Sequence, residues 1–214
     1  MTSEIKFKAG IVHNNQNLIE LEPVLKRWTK SVQEYNRTVK DICWMYKERA
    51  NVSILAGAAW QEKGWTAMEE YGTVKKKENG DRSNGRCDLY ISNEELDFAI
   101  EAKLARVSMK GDGERTKKFI NRAWEDARKL KRGEASFRVA ATFIVPRITE
   151  AALKKSSMDV EGEFLEWIER LKSIKNLHSL AYVYALDNEH TIRAQNGKIS
   201  PGVALVLREM QRGN

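Results

Sequence analysis

The stretch of sequence that decides the fold is RCDLYISNEELDFAIEAKLARV, residues 86–107. It predicts two β-strands, Arg86–Ser92 and Leu96–Val107, joined by an Asn-Glu-Glu turn. In the second strand, large apolar side chains alternate with smaller or charged ones, so that Glu101 and Lys103 project together from the face opposite the apolar residues. We therefore predict a hairpin that packs one face on a core and presents a carboxylate and an ammonium side by side on the other.

The first strand adds a second carboxylate to this charged face. Asp88 points away from Cys87 and Leu89 in an alternating strand, and pairing of the two strands brings Asp88 onto the same face as Glu101. Two carboxylates in reach of each other can hold one hard cation such as Mg²⁺ or Mn²⁺. A divalent ion binds a phosphate and lowers the pKa of a bound water, and Lys103 next to it can orient or help to deprotonate that water.

Helices and strands alternate on both sides of the hairpin. Upstream, apolar residues at the helical period predict helices over Pro23–Tyr35 and Thr38–Lys63, followed by a strand over Trp65–Lys77. Downstream, the pattern predicts a helix over Glu114–Lys131, a fully buried strand over Phe137–Val145, a helix over Val160–Ile174 and a strand over Leu177–Ala185. The tail segment Pro201–Met210 is compatible with a short helix on the sheet edge. The fold class predicted is α/β, with a central mixed β-sheet flanked by α-helices.

A further acidic residue lies in the predicted helix that precedes the strands. Glu48 occupies a position between Trp44 and Val52 in an apolar helical stripe. A buried carboxylate is costly unless a lysine or a metal ion pairs with it, which makes Glu48 a candidate site residue. The alternative is that Glu48 lies at the edge of the stripe and reaches solvent or pairs with an arginine.

The order of these residues resembles a known nuclease superfamily. Asp88 is followed thirteen residues later by Glu101–Lys103 (Glu-Ala-Lys), on consecutive predicted strands between a leading and a following helix. This arrangement is similar to the PD-(D/E)xK nucleases, which share the restriction endonuclease-like fold. The resemblance extends over residues 38–186 in the order helix, three strands, helix, strand, helix, strand.

The resemblance implies a metal-dependent hydrolysis of DNA phosphodiester bonds with Mg²⁺ or Mn²⁺ as cofactor. According to this resemblance, Asp88 and Glu101 are metal ligands and the carbonyl of Ala102 is a further metal ligand. Lys103 activates the water or contacts the phosphate. Glu48 matches the acidic residue that many members carry on the leading helix. DNA is the partner that this activity implies, and many nucleases of this type act as a homodimer.

Two departures from the family pattern leave other functions open. Cys87 precedes Asp88 where the family has proline, and the helix after Lys103 lacks the glutamine of some branches. One alternative is a catalytically inactive nuclease-like module that binds nucleic acid or a protein. Another is a structural or assembly protein of a mobile element, and in either case the Asp88, Glu101 and Lys103 side chains could form a solvated salt-bridge ladder on the sheet.

The charge balance points to a polyanionic partner. The chain of 214 residues has 37 Lys and Arg against 30 Asp and Glu, a formal charge of +7. The candidate nucleic-acid contacts lie on the predicted arm and on the helix after Lys103: Lys75, Lys76, Lys77, Arg86, Arg115, Arg122 and Lys129. The alternatives are that the arm lysines protect an exposed sheet edge and that the helix arginines form an exposed face.

The remaining features define the organisation and the compartment. We predict an N-terminal extension over residues 1–37, a nuclease-like core over residues 38–186 and a C-terminal segment over residues 187–214 that packs on the core. The two isolated cysteines indicate a reducing environment, and no stretch approaches 18 apolar residues, so a cytoplasmic protein that does not enter the membrane is expected. The three scattered histidines argue against a zinc site.

Overall fold

The computed structural model describes residues 6–76, 80–186, 192–194 and 197–210. Nine strands lie in these residues: β1 Phe7–His13, β2 Thr66–Lys76, β3 Arg82–Ser92, β4 Asp97–Ser108, β5 Phe137–Thr149, β6 Ser179–Ala185, β7 Ile192–Ala194, β8 Lys198–Ser200 and β9 Gly202–Glu209. The helices are α1 Glu22–Val39, α2 Glu48–Gln61, α3 Glu114–Lys129, α4 Glu150–Lys154 and α5 Val160–Lys172. From α2 onward, the predicted order of helix, three strands, helix, strand, helix, strand is confirmed, with the short α4 added before α5.

The strands form one mixed sheet in the order β1-β6-β9-β5-β4-β3-β2. β2, β3 and β4 are an antiparallel meander, after which α3 crosses over and returns the chain to β5, which runs parallel to β4. β9 continues the sheet antiparallel to β5, β6 pairs antiparallel to β9, and β8 pairs with the far end of β5. The predicted mixed α/β sheet flanked by helices is therefore confirmed.

Helices cover both faces of the sheet, as its apolar strands require. On one face, α1 and α2 bury Trp28 and Leu55 against Phe98 and Phe143. On the other face, α5 packs its apolar stripe against β5, β6 and β9, and α3 covers the adjacent region. β5 is almost wholly buried because it is covered from both sides, as its continuous apolar sequence predicts. In the described residues no helix is long and apolar enough to cross a membrane.

The single helix predicted over Thr38–Lys63 is wrong. Helix α1 runs past its predicted end and stops where Lys40 adopts a left-handed conformation, with its N–H bonded to the carbonyl of Asn36. A 3₁₀ turn at Cys43–Met45 follows, and α2 begins only at Glu48. The side chain of Asn36 accepts a hydrogen bond from the Cys43 N–H and so stabilises this break. As a result, Glu48 lies in the first turn of a helix rather than inside a long stripe.

The helix expected over Pro201–Met210 is also wrong. Residues 202–209 form β9, which lies between β5 and β6 and is buried along nearly its whole length. A short apolar run has no periodicity that separates a buried helix from a strand covered on both faces. Gly202 fits this position because a Cβ atom there would lie 2.3 Å from the carbonyl oxygen of Val183 on the neighbouring strand.

The N-terminal segment is part of the same sheet. Its strand β1 pairs antiparallel with β6 at the edge of the sheet. After it, the side-chain amides of Asn15 and Asn17 donate hydrogen bonds to the buried carboxylate of Glu209 at the end of β9. The amide-rich sequence following β1 thus joins that strand to the end of β9.

Candidate functional site

The candidate site lies where β3 separates from β4. Their pairing extends from Ser92 opposite Asp97 to Leu89 opposite Ile100 and ends there. Asp88 is the next residue of β3, and across from it in β2 Glu70 has a left-handed backbone, with φ of 54°. The regular face alternation predicted for the first strand ends at this position: Cys87 packs with Ala99 and Leu130, whereas Leu89 packs in the core under α1 and α2.

Beyond this point the edge of β4 is not paired with β3, and two carboxylates accept hydrogen bonds from its backbone N–H groups instead. The Ala102 N–H donates to Oδ2 of Asp88 at 2.7 Å, and the Leu104 N–H donates to Oε2 of Glu48, also at 2.7 Å. Residues two apart in a strand are about 6.7 Å apart, so the two carboxylates lie one behind the other along the strand. Glu48 reaches this position from the first turn of α2, where the helix dipole favours a negative charge.

The second oxygen of each carboxylate is available to a ligand. Neither Oε1 of Glu48 nor Oδ1 of Asp88 receives a hydrogen bond from the described residues. Both side chains line a depression of about 260 Å³ together with Glu69 and Glu70. Glu70 is already engaged by Arg49 at 3.0 Å, and Glu69 accepts a hydrogen bond from Ser53. The depression therefore presents two fixed carboxylates with free oxygens, a donor set that suits a hard cation.

Glu101 has a different environment. Its side chain is almost completely buried, with 2% exposure, and Nζ of Lys75 lies 2.6 Å from its Oε1. Burial raises the pKa of Glu101 to about 7, against the opposing effect of the Lys75 ammonium, and the charge of Asp88 raises it further. The prediction of a solvated salt-bridge ladder on an exposed face does not fit a carboxylate in this position.

Lys103 is fixed by an acidic residue from α3. Its Nζ lies 2.9 Å from Oδ2 of Asp126 and donates to the carbonyl of Ala102 at 2.9 Å. Burial disfavours the ammonium form, but the Asp126 carboxylate, with Glu48 and Asp88 nearby, outweighs it and raises the pKa of Lys103 above its ordinary value. Lys103 is therefore a fixed cation at neutral pH and lies in the electrostatic field of the half-buried carboxylates of Glu48 and Asp88.

Burial also affects the pKa values of the acidic residues around Lys103. It raises the pKa of Glu48, with the Lys103 ammonium opposing the shift. For Asp126 the balance is reversed: burial would raise its pKa, but hydrogen bonds from Lys129 and Lys103 hold it below the usual value. Asp126 thus stays ionised and keeps Lys103 in place.

The structure brings together some of the predicted residues. Glu48, Asp88 and Lys103 meet at the exposed edge of β4, and the Ala102 carbonyl is engaged by Lys103. Glu101 lies close enough to Asp88 and Lys103 to interact with their charges, but its carboxylate is paired with Lys75. In the part of the chain that the structure describes, no group of three or more His, Cys, Asp and Glu side chains is placed to hold a metal ion.

The predicted nucleic-acid contacts are mostly engaged within the protein. Arg86 pairs with Glu70 at 3.3 Å, Arg115 donates to the carbonyl of Arg106, Arg122 lies over the Phe119 ring, and Lys129 pairs with Asp126. Lys76 is exposed, and Lys77 lies outside the described residues. Contact of these residues with DNA stays a prediction.

Sequence reasoning missed the two residues that hold the site together. Lys75 is predicted to contact phosphates but faces Glu101, and Asp126, which is not among the predicted site residues, pairs with Lys103. The sequence pattern offers Asp126 only local partners, because Arg122 and Lys129 lie one turn away on the same helix, and it does not single out Lys103. No sequence pattern predicts the contact of Lys75 with Glu101, because the position of Lys75 depends on a tertiary contact. Lys75 forms a β-bridge with Leu130 at the end of α3.

Comparisons with protein-family models, with curated proteins and with solved structures found no match for this chain.

Proposed function

We propose that the protein is a metal-dependent nuclease that hydrolyses DNA phosphodiester bonds by a metal-activated water. One observation carries this proposal: the carboxylates of Asp88 and Glu48 are each fixed through one oxygen to the exposed edge of β4, beside the ammonium of Lys103. The arrangement of α2, the three-stranded meander, α3 and the parallel β5 supports the same assignment, because it follows the order of elements that the PD-(D/E)xK resemblance implies.

The residues fit a divalent cation in part. Asp88 and Glu48 would hold Mg²⁺ or Mn²⁺ through their free oxygens, because Mg²⁺ commonly takes one or two protein carboxylates and keeps its other positions for water and phosphate. When bound, such an ion lowers the pKa of a water and neutralises charge that develops on the phosphate. Glu101, the expected second ligand, is occupied by Lys75.

The protein's own residues divide the remaining tasks. Lys103 is held charged by Asp126, so its role is to attract the phosphate and orient the attacking water rather than to accept a proton. The amides of Ala102 and Leu104 fix the two carboxylates before substrate arrives, which preorganises the site. Because α3 carries Asp126, any movement of that helix would also move the Lys103 ammonium.

A second candidate function is a catalytically inactive nuclease-like module that binds nucleic acid or a protein. The pairing of Glu101 with Lys75 favours it, because this pairing satisfies without a metal the carboxylate that the resemblance assigns to the ion. This candidate predicts binding without metal-dependent cleavage.

The test is cleavage of plasmid, duplex and single-stranded DNA in the presence of Mg²⁺ or Mn²⁺, with and without EDTA. We expect Asp88→Asn and Lys103→Ala to reduce cleavage by about a hundredfold, the typical loss when one electrostatic group at a transition state is removed. Asparagine keeps an oxygen for the Ala102 amide, so the first variant removes charge without removing the acceptor. Glu95→Gln and Lys63→Ala, at exposed positions away from the site, are the matched controls.

Cleavage that survives both site variants, or that is unaffected by EDTA, would rule out this function. Binding of DNA with no cleavage under either metal would support the inactive module instead.

A further inference from the structure

A large basic groove runs around the C-terminal end of α3. Its volume is about 1140 Å³, and it is bounded by the β2–β3 arm, the end of α3, the start of β5 and the end of β9. Among the described residues, six of its cations have no carboxylate partner: Lys76, Arg82, Lys131, Arg132, Arg138 and Arg208. Such a concentration of cations in a concave surface attracts a polyanion.

Two of these cations lie on the floor of the groove, on the face of the sheet. Ala140 pairs with Arg208 and the Met210 N–H bonds to the Arg138 carbonyl, so the two arginines are diagonal neighbours on adjacent strands. Both are half-buried, and burial lowers the pKa of each. Arg138 donates to the carbonyl of Leu130, and Arg208 donates to the side chain of Asn121. The Nε of Arg208 is buried without a hydrogen-bond partner.

Half-buried guanidinium groups without carboxylates are costly, which indicates that they serve a ligand. Neither of the two acidic residues that line the groove forms an ion pair with these guanidinium groups among the described residues. Glu209 is bound by Asn15 and Asn17, and Glu125 pairs with Arg128 at 3.2 Å. The groove therefore keeps a fixed positive charge on its floor, and guanidinium groups match phosphate oxygens in geometry.

An aromatic ring lies beside these charges. The guanidinium of Arg208 lies over the ring of Trp124, 4.4 Å from its centroid. Stacked aromatic and guanidinium planes are surfaces on which unpaired bases stack, whereas the bases of a duplex are already stacked on each other. The combination of a recessed pair of arginines and an adjacent tryptophan thus favours a single strand.

The groove also connects to the candidate site. Lys129 and Glu125 line both the groove and the neighbouring concave surface that contains Lys103. A strand in the groove would pass from Arg208 over the end of α3 toward Lys103.

We propose that this groove binds the phosphate backbone of single-stranded nucleic acid, with Arg138 and Arg208 as phosphate contacts and Trp124 as a stacking surface. The proposed binding does not depend on the proposed nuclease function. Only the role of the groove in delivering a strand to Lys103 rests on that function.

The test is fluorescence anisotropy with a labelled mixed-sequence DNA strand of about 20 nucleotides, long enough to exceed a typical single-strand site. EDTA is present throughout, so cleavage does not contribute. Each phosphate contact contributes about 0.7 to the salt slope, which at about 0.1 M salt corresponds to roughly fivefold in affinity. We expect Arg138→Gln and Arg208→Gln each to weaken binding by about this factor and to lower the slope by about 0.7.

The exposed double variant Lys131→Gln/Arg132→Gln provides a test that does not depend on the half-buried strand positions. We expect it to weaken binding about 25-fold by the same relation, while Lys30→Gln on α1, an exposed lysine far from the groove, leaves binding unchanged. Trp124→Leu should weaken binding of the single strand without changing the salt slope, since it removes stacking and no charge.

Three results would overturn the proposal: wild-type affinity in the folded groove variants, equal losses in Lys30→Gln, or tighter binding of a matched duplex than of the single strand. The test separates the two proposals. Loss of binding in the groove variants, together with no cleavage by the wild type, would support the groove proposal and reject the nuclease proposal. Normal binding in the groove variants, together with metal-dependent cleavage by the wild type, would support the nuclease proposal and reject the groove proposal.

Discussion

Replacing Lys75 by methionine removes the ammonium that lies 2.6 Å from the buried carboxylate of Glu101. Methionine has a similar length and no charge, so the variant keeps most of the packing. In the variant, Glu101 is either charged without its close partner or neutralised by binding a proton. Glu101 is 2% exposed, and solvent cannot replace the lysine without opening the structure. The cost of the substitution should therefore depend on pH.

The sign follows from the pKa of Glu101, which burial raises from 4.5 to about 7. Because the folded protein binds this proton more tightly than the unfolded chain, this group destabilises the fold as pH rises from about 4.5 to about 7, by about 3 kcal/mol in all. Without Lys75 the pKa of Glu101 rises further, so that the loss continues to higher pH. Breaking one side of a buried ion pair costs about 3–5 kcal/mol when the other side stays charged.

The assay is urea unfolding of the wild type and of Lys75→Met at pH 5 and pH 8, in EDTA. At pH 5 Glu101 is largely protonated in both proteins, and we expect a small difference in the free energy of unfolding; at pH 8 we expect a difference of about 3 kcal/mol. Glu101→Gln in the Lys75→Met background should restore most of the stability at pH 8, and Lys76→Met, at the exposed neighbouring position, is the control. A difference that is the same at both pH values, or no recovery with glutamine, would refute this account of the pair.

Two further predictions concern the exposed edge of β4 and the buried strand β9. Asp88→Ala should lower the free energy of unfolding by about 1–3 kcal/mol more than Asp88→Asn, because alanine leaves the Ala102 N–H without its acceptor; equal denaturation midpoints for the two variants would contradict this. Gly202→Ala should lower the stability by about 1–3 kcal/mol in thermal unfolding, because its Cβ would meet the Val183 carbonyl oxygen, and an unchanged melting temperature would show that the two strands can move apart.

Most of the elements followed from local patterns. The meander β2–β4, the amphipathic α3 and the apolar β5 all form within a few residues of the predicted ranges, because alternation and the helical period report directly which faces are buried. The two errors have a shared cause. β9 and the 36–48 break were decided by long-range contacts: β9 by its position between β5 and β6, and the break by the packing of Asn36 and Trp44 in the core.

The candidate site shows the same division. The residue types of Asp88, Glu101 and Lys103, and their placement on neighbouring strands, could be predicted from one stretch of sequence. That Glu101 faces inward to Lys75 could not be predicted, because regular alternation places Asp88 and Glu101 on one face. The pairing of β3 with β4 ends at Leu89 and Ile100, so that Asp88 and Glu101 lie just outside the regular ladder.

The sequence by itself determined the order of helices and strands from α2 to β6, the mixed sheet and the set of charged residues from which a site could be built, since these depend on spacing along the chain. Only the tertiary structure decided which charges meet. Glu48 reaches the Leu104 amide across 56 residues, and Lys103 reaches Asp126 on the crossover helix. The arginines on the groove floor come from two strands that become neighbours only when the C-terminal segment inserts into the sheet, because pairing across a sheet depends on strand order in space and not on distance along the chain.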